Sequence, residues 1–156
     1  MLVSQCRCAQ SSSAPRAHDP PQRPRCERVA AAPADQEPVD LAVAMHWLGG
    51  DRRLLLELVG IFMDDSPKRL VSLRAAMSTS DIVQVEQLAH SLKGSAAILG
   101  AADLQSAARV LEDAAHDGHA EDGPRMVARI ARELERAIAF FADPGWPTQL
   151  DGEAVP

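Results

Sequence analysis

Tyrosine is absent from this 156-residue chain, and tryptophan and phenylalanine together number five. A surface that stacks nucleic-acid bases needs aromatic side chains, and one that tracks a phosphate backbone needs excess positive charge. With a formal net charge of −6 the chain offers neither, which excludes nucleic acid as its main partner. No apolar run approaches the roughly 20 residues that cross a bilayer, so no membrane is expected. The N-terminus also lacks the apolar core of a secretory signal. Cysteine is scarce, and Cys6, Cys8 and Cys26 all precede the expected core. An odd count outside the core is no disulfide framework. Cys6-x-Cys8 is followed by no second ligand pair at zinc-like spacing. The thiols are read as incidental and free, no metal is expected, and the cytoplasm is the expected compartment.

What remains is rich in alanine and leucine and poor in β-branched residues, a balance that favours helix over sheet. The length suits one domain with tails. Residues 1–38 carry Pro15, Pro20, Pro21, Pro24, Pro33 and Pro38 among Ser, Arg and Ala. That composition cannot offset its ordering entropy, so a disordered tail or linker is expected there. Residues 39–142 form the domain. Asp40 caps a short helix with Leu41, Val43, Ala44 and Trp47, which ends at Gly49-Gly50. Asp51 caps a long pattern with Leu54, Leu55, Leu58, Ile61, Phe62, Leu70, Leu73 and Met77 on its apolar side, which Pro67 should kink or break, with Ser66 as a fresh cap. Ser80 or Asp81 starts the next helix, which stops at Gly100. Two more follow, one with Leu104, Ala107, Ala108 and Leu111 inward, the other opened by Pro124. Trp47 and Phe62 fall in apolar patterns and are expected as core anchors, with His46 partly buried beside Trp47. From Asp143, Pro144-Gly145-Trp146-Pro147 predicts a helix stop and a flexible tail over residues 143–156. Short connections make sequential helices neighbours. The expected fold is all-α, an antiparallel up-down four-helix bundle with a short extra N-terminal helix.

The third helix carries the chemistry. At about 100° per residue, Val85, Leu88, Leu92, Ala96 and Leu99 fall within roughly 60° of one another, and His90 lies about 160° away from them. Gly94 and Ala97, one and two turns on, share the face of His90, with Lys93 at its shoulder. A glycine inside a helix costs about 1 kcal/mol relative to alanine, and close approach of a macromolecule to His90 gives Gly94 a reason. Lys93, one turn away, can reach over the imidazole, disfavour its protonation and later pair with a phosphoryl group. No serine or cysteine nucleophile stands at triad spacing, and there is no Gly-rich phosphate cradle. The chain offers a nucleophile without an ATP site of its own.

Ala89-His90-Ser91-Leu92-Lys93-Gly94, with Gly100-Ala101 behind it, resembles the signature of histidine-containing phosphotransfer domains. The likeness extends through Leu48-Gly49-Gly50-Asp51, through the stretch from Ile61 to Pro67, and to Leu111-Glu112. The resemblance implies that His90 is the phosphoacceptor, that Lys93 assists phosphate and that Gly94 leaves space for the partner. The family's exposed docking patch maps to Gln87, Gly94, Ala97 and Ile98. It implies a monomeric phosphoryl carrier, not an enzyme, exchanging phosphate reversibly with response-regulator receiver domains fed by a hybrid sensor histidine kinase. It would hold no cofactor of its own, Mg²⁺ being supplied by the receiver.

Three other readings compete. The phosphoacceptor helices of sensor kinases usually place an acidic residue directly after the histidine, where this chain has Ser91. A helical interaction module with an unphosphorylated His90 is a second. His116-x-x-His119, near Glu112, Asp113 and Asp117, could bind a divalent metal on a continuous helix, but Gly118 argues for a solvated helix end. Arg125, Arg129, Arg132 and Arg136 alternate with Glu133 and Glu135 and read as a solvated face.

Overall fold

Six helices account for the fold in the computed structural model, which describes residues 37–118 and 122–150. They are α1 (Leu41–Trp47), α2 (Arg52–Ser78), α3 (Ile82–Ile98), α4 (Ala102–His116), α5 (Gly123–Ala142) and α6 (Trp146–Gln149). Helices α2 to α5 form the bundle, with α3 packed most extensively on α4 and α2 on both α3 and α5. No strand occurs among the described residues, and no helix there is long and apolar enough to cross a membrane. Residues 1–36, with His18 and the cysteines, lie outside the described residues, as do His119 and residues 151–156.

Aspartates set the starts of the first three helices. Asp40, Asp51 and Asp81 each accept a hydrogen bond from the backbone N–H three residues on, at Val43, Leu54 and Gln84, which satisfies a donor that the first turn leaves open. The core is built from Leu55, Leu73, Leu92, Leu99, Leu104, Leu111, Ile130 and Leu134, all essentially inaccessible. Ala89 and Ala96 on α3 face a bundle interior that also holds Ala107, Ala108 and Ala115 of α4, and these small side chains let the two helices approach closely.

The α3–α4 turn is tied to the start of α1. Gly100 adopts φ +71°, and the N–H groups of Gly100 and Ala101 return to the carbonyls of Ala97 and Ala96, a Schellman ending. Asp40 N–H donates to the Gly100 carbonyl at 3.0 Å. The two backbones lie so close that a Cβ on Gly100 would collide with the Asp40 carbonyl oxygen.

Six expectations from sequence fail here. Helix α2 runs unbroken through Pro67. Its buried residues on both sides, Phe62, Ser66, Leu70 and Leu73, hold the axis across the one backbone hydrogen bond that proline removes. Ser66 is buried within that helix and does not cap a new one. Trp47 is 69% exposed and His46 is exposed as well, because α1 buries only Leu41 and Ala44. The second tryptophan takes the core position instead. Trp146 is buried, donates its indole N–H to the Phe141 carbonyl at 2.9 Å and packs edge-on against the Phe141 ring at 5.3 Å. Residues 143–150 are therefore held on the bundle, with Arg52 of α2 donating to the Pro147 carbonyl. Glu133 is buried too, because Arg132 and Arg136 bracket its carboxylate, and Arg136 reaches on to Asp103 of α4.

Candidate functional site

The Asp81 cap sets the phase of α3, and the complete burial of Val85, Ala89, Leu92 and Ala96 turns the opposite face to solvent. His90 stands on that face with its side chain 69% exposed. Gly94 is exposed beside it, and a Cβ added there would meet nothing within 4 Å. Gln87 is exposed, Ala97 half-buried, and Ile98 stands at the edge of a narrow groove between α2 and α3 that Leu58 and Ile61 also line.

Helix α4 adds a residue that the sequence names but gives no role at His90. Glu112 projects from α4 toward α3, and its Oε1 lies 2.6 Å from His90 Nδ1. Its other oxygen lies 2.5 Å from Lys93 Nζ. That contact is an ion pair between the ammonium and the carboxylate. Lys93 thus engages the carboxylate; the expected reach over the imidazole is not what the structure shows. One glutamate, 15% exposed, ties together the histidine and the lysine, which lie three residues apart on α3.

The electrostatics follow from that bridge. Burial pushes the Glu112 carboxyl up, but the contacts with Lys93 and His90 outweigh it and hold the group below its ordinary value of 4.5. The carboxylate is ionised near neutrality and can only accept. The proton between the two side chains therefore belongs to His90 Nδ1. That tautomer leaves the lone pair on Nε2, on a side chain that is mostly exposed.

Residues 57–140 match the sequence profile of the Hpt domain, more than half of the chain. This chain belongs to the Hpt domain family. As an Hpt domain it is a histidine phosphotransfer module of a phosphorelay. The crystal structure of histidine-containing phosphotransfer protein B (HptB) from Pseudomonas aeruginosa PAO1 matches with a TM-score of 0.65 at 26% sequence identity, covering 76% of this chain and 98% of HptB. No curated protein matches the chain.

The Hpt fold brings His90 and Lys93 together through Glu112 and sets Gln87, Gly94 and Ala97 on the exposed face of α3. The local signal for Glu112 was its place beside Leu111, but its partner follows only from the register of α4 against α3. His116 turns toward α3 as well, where its Nδ1 lies 3.1 Å from Glu86 Oε1. The metal reading paired it with His119, outside the described residues.

Proposed function

We propose that His90 Nε2 is the phosphoryl acceptor and donor of a reversible relay between receiver domains. The observation that carries the reading is an exposed imidazole whose inner nitrogen is held by a shielded carboxylate. The Nε2 lone pair attacks the phosphorus of a receiver aspartyl-phosphate, an N–P bond forms, and the P–O bond to the aspartate breaks, leaving a free carboxylate on the receiver. The imidazole ring gains positive charge as its lone pair is donated. Glu112, fixed against Nδ1, offsets that charge without moving, which is the advantage of a preorganised counter-charge. The receiver contributes Mg²⁺ for the in-line transfer. Lys93, balanced on Glu112, is placed to share its charge with the phosphoryl oxygens.

Gly94 removes the side chain that would stand beside Nε2. Gln87, Ala97 and Ile98 form the docking surface, continued across the groove by Ile61, which is 56% exposed. The chain works as a cytoplasmic monomer and a carrier without an ATP site, charged by a receiver attached to a hybrid sensor kinase. Incubation with a phosphorylated receiver and Mg²⁺, read by intact mass, tests the proposal. Acid-labile phosphate appears on the wild-type chain and is lost in His90→Gln, which melts within about 0.5 kcal/mol of wild type because the position is exposed. Label persisting on His90→Gln removes the assignment. Failure of any receiver to label the wild type leaves an unphosphorylated interaction module.

A further inference from the structure

A second histidine–carboxylate pair adjoins the first with its polarity reversed. On α3, Glu86 precedes His90 by four residues; on α4, Glu112 precedes His116 by four. Because the two helices run antiparallel, His90 meets Glu112 while Glu86 meets His116, at 2.6 and 3.1 Å. Residues four apart on a helix have Cβ atoms roughly 5–6 Å apart, so the Glu86 side chain is long enough to lie against the outer edge of the His90 ring. Glu86 and His90 already line one open cavity of about 330 Å³.

Packing does not hold Glu86 away from that edge, since its side chain is 39% exposed. His116 buries little of itself, with 74% of its side chain in solvent, so a core role does not account for its place. Lys93 is engaged by Glu112, and His116 is the group that meets Glu86 among the described residues. A carboxylate swinging free beside Nε2 would oppose transfer in two ways. It would repel a phosphoryl group bearing close to two negative charges, and it would hydrogen-bond to Nε2 in its protonated form, removing the lone pair that attacks.

We propose that His116 is a positioning residue for the His90 site, holding the Glu86 carboxylate against α4 and off the His90 Nε2 edge. The role rests on the phosphoacceptor reading above, but the restraint on Glu86 has a consequence that needs no receiver. Diethyl pyrocarbonate acylates an unprotonated imidazole nitrogen, and its rate at His90 can be followed by peptide mass in the full chain.

His116→Ala should slow both acylation of His90 and phosphoryl transfer from a phosphorylated receiver by about fivefold, the size of one screened surface charge contact. His116→Gln, whose amide still donates to Glu86, should keep most of both rates. Glu86→Gln should restore both in the His116→Ala background, and circular dichroism should show equal melting for all of these exposed variants. His116→Ala acting at the wild-type rate in both assays overturns the proposal. A slow rate that persists in the Glu86→Gln/His116→Ala double variant overturns it as well, since the effect would then be structural. If the wild-type chain takes no phosphoryl label, the carrier reading fails while the acylation rates still decide whether His116 restrains Glu86.

Discussion

Replacing Glu112 by Gln removes the charge shared by His90 and Lys93 and keeps the shape of the side chain. The glutamine oxygen can still accept from His90 Nδ1 at the 2.6 Å separation of the native pair, so the ring orientation and its tautomer survive. What is lost is the counter-charge to the imidazole as it becomes a phosphoimidazolium, together with the ion pair to Lys93. A full charge about 4 Å from the carboxylate is worth roughly 1 kcal/mol in water and about 4 kcal/mol at an effective dielectric constant near 20. Glu112 lies between those limits, shielded from solvent but beside an exposed ring. If about half of the charge has developed at the transition state, the loss is of order 1 kcal/mol, about a fivefold slower transfer. Rapid-quench transfer from a phosphorylated receiver measures this directly, with circular dichroism confirming that the variant is folded. The pH dependence of stability gives an independent check. A carboxyl held below its ordinary 4.5 in the folded state stabilises the fold above that ordinary value, and the contribution is lost as pH falls through the depressed one. Wild type should therefore melt above Glu112→Gln near neutrality, with the two converging as the pH drops below about 4.5. A folded Glu112→Gln chain that transfers at the wild-type rate would refute the counter-charge argument.

Gly94→Ala should raise stability by up to about 1 kcal/mol, since its Cβ meets nothing, while transfer falls progressively through Ala to Leu as the side chain obstructs the receiver; a Gly94→Leu chain transferring normally would refute that role. Gly100→Ala should destabilise by more than about 1 kcal/mol, read by urea titration, because the left-handed backbone and the Asp40 carbonyl both oppose a side chain; an unchanged midpoint would show that the α1 tie is loose. Trp146→Ala should cost about 3–5 kcal/mol and Trp47→Ala less than about 0.5 kcal/mol, a contrast that thermal melts resolve.

The periodicity of α3 carried most of the legible site. His90 opposite Val85, Leu92 and Ala96 could be placed on the outer face from spacing alone, and Gly94 beside it. Glu112 could not, because its meeting with His90 depends on how far α4 slides along α3, and no local pattern records that register. The tryptophans show the complementary limit. Trp47 sits in an apolar helical pattern but on a helix too short to bury a second face, while Trp146 sits among Pro and Gly and folds back onto Phe141. Pro67 was read by its local preference, which the buried residues of α2 on either side override. Glu133 was read by its charge, although two arginines and the face of α5 that it occupies decide its burial.

The opposite environments of the two tryptophans give the protein a built-in pair of optical reporters. With no tyrosine in the chain, ultraviolet emission comes almost wholly from two indoles. Trp47, in water, emits to the red and is open to iodide; Trp146, sealed against Phe141 with its N–H engaged, emits to the blue and is shielded from the quencher. Iodide thus removes one signal and leaves the other. The residual blue emission follows unfolding of the bundle, and the quenchable red emission reports events at the end of α1, so one cuvette separates loss of the fold from changes at its surface.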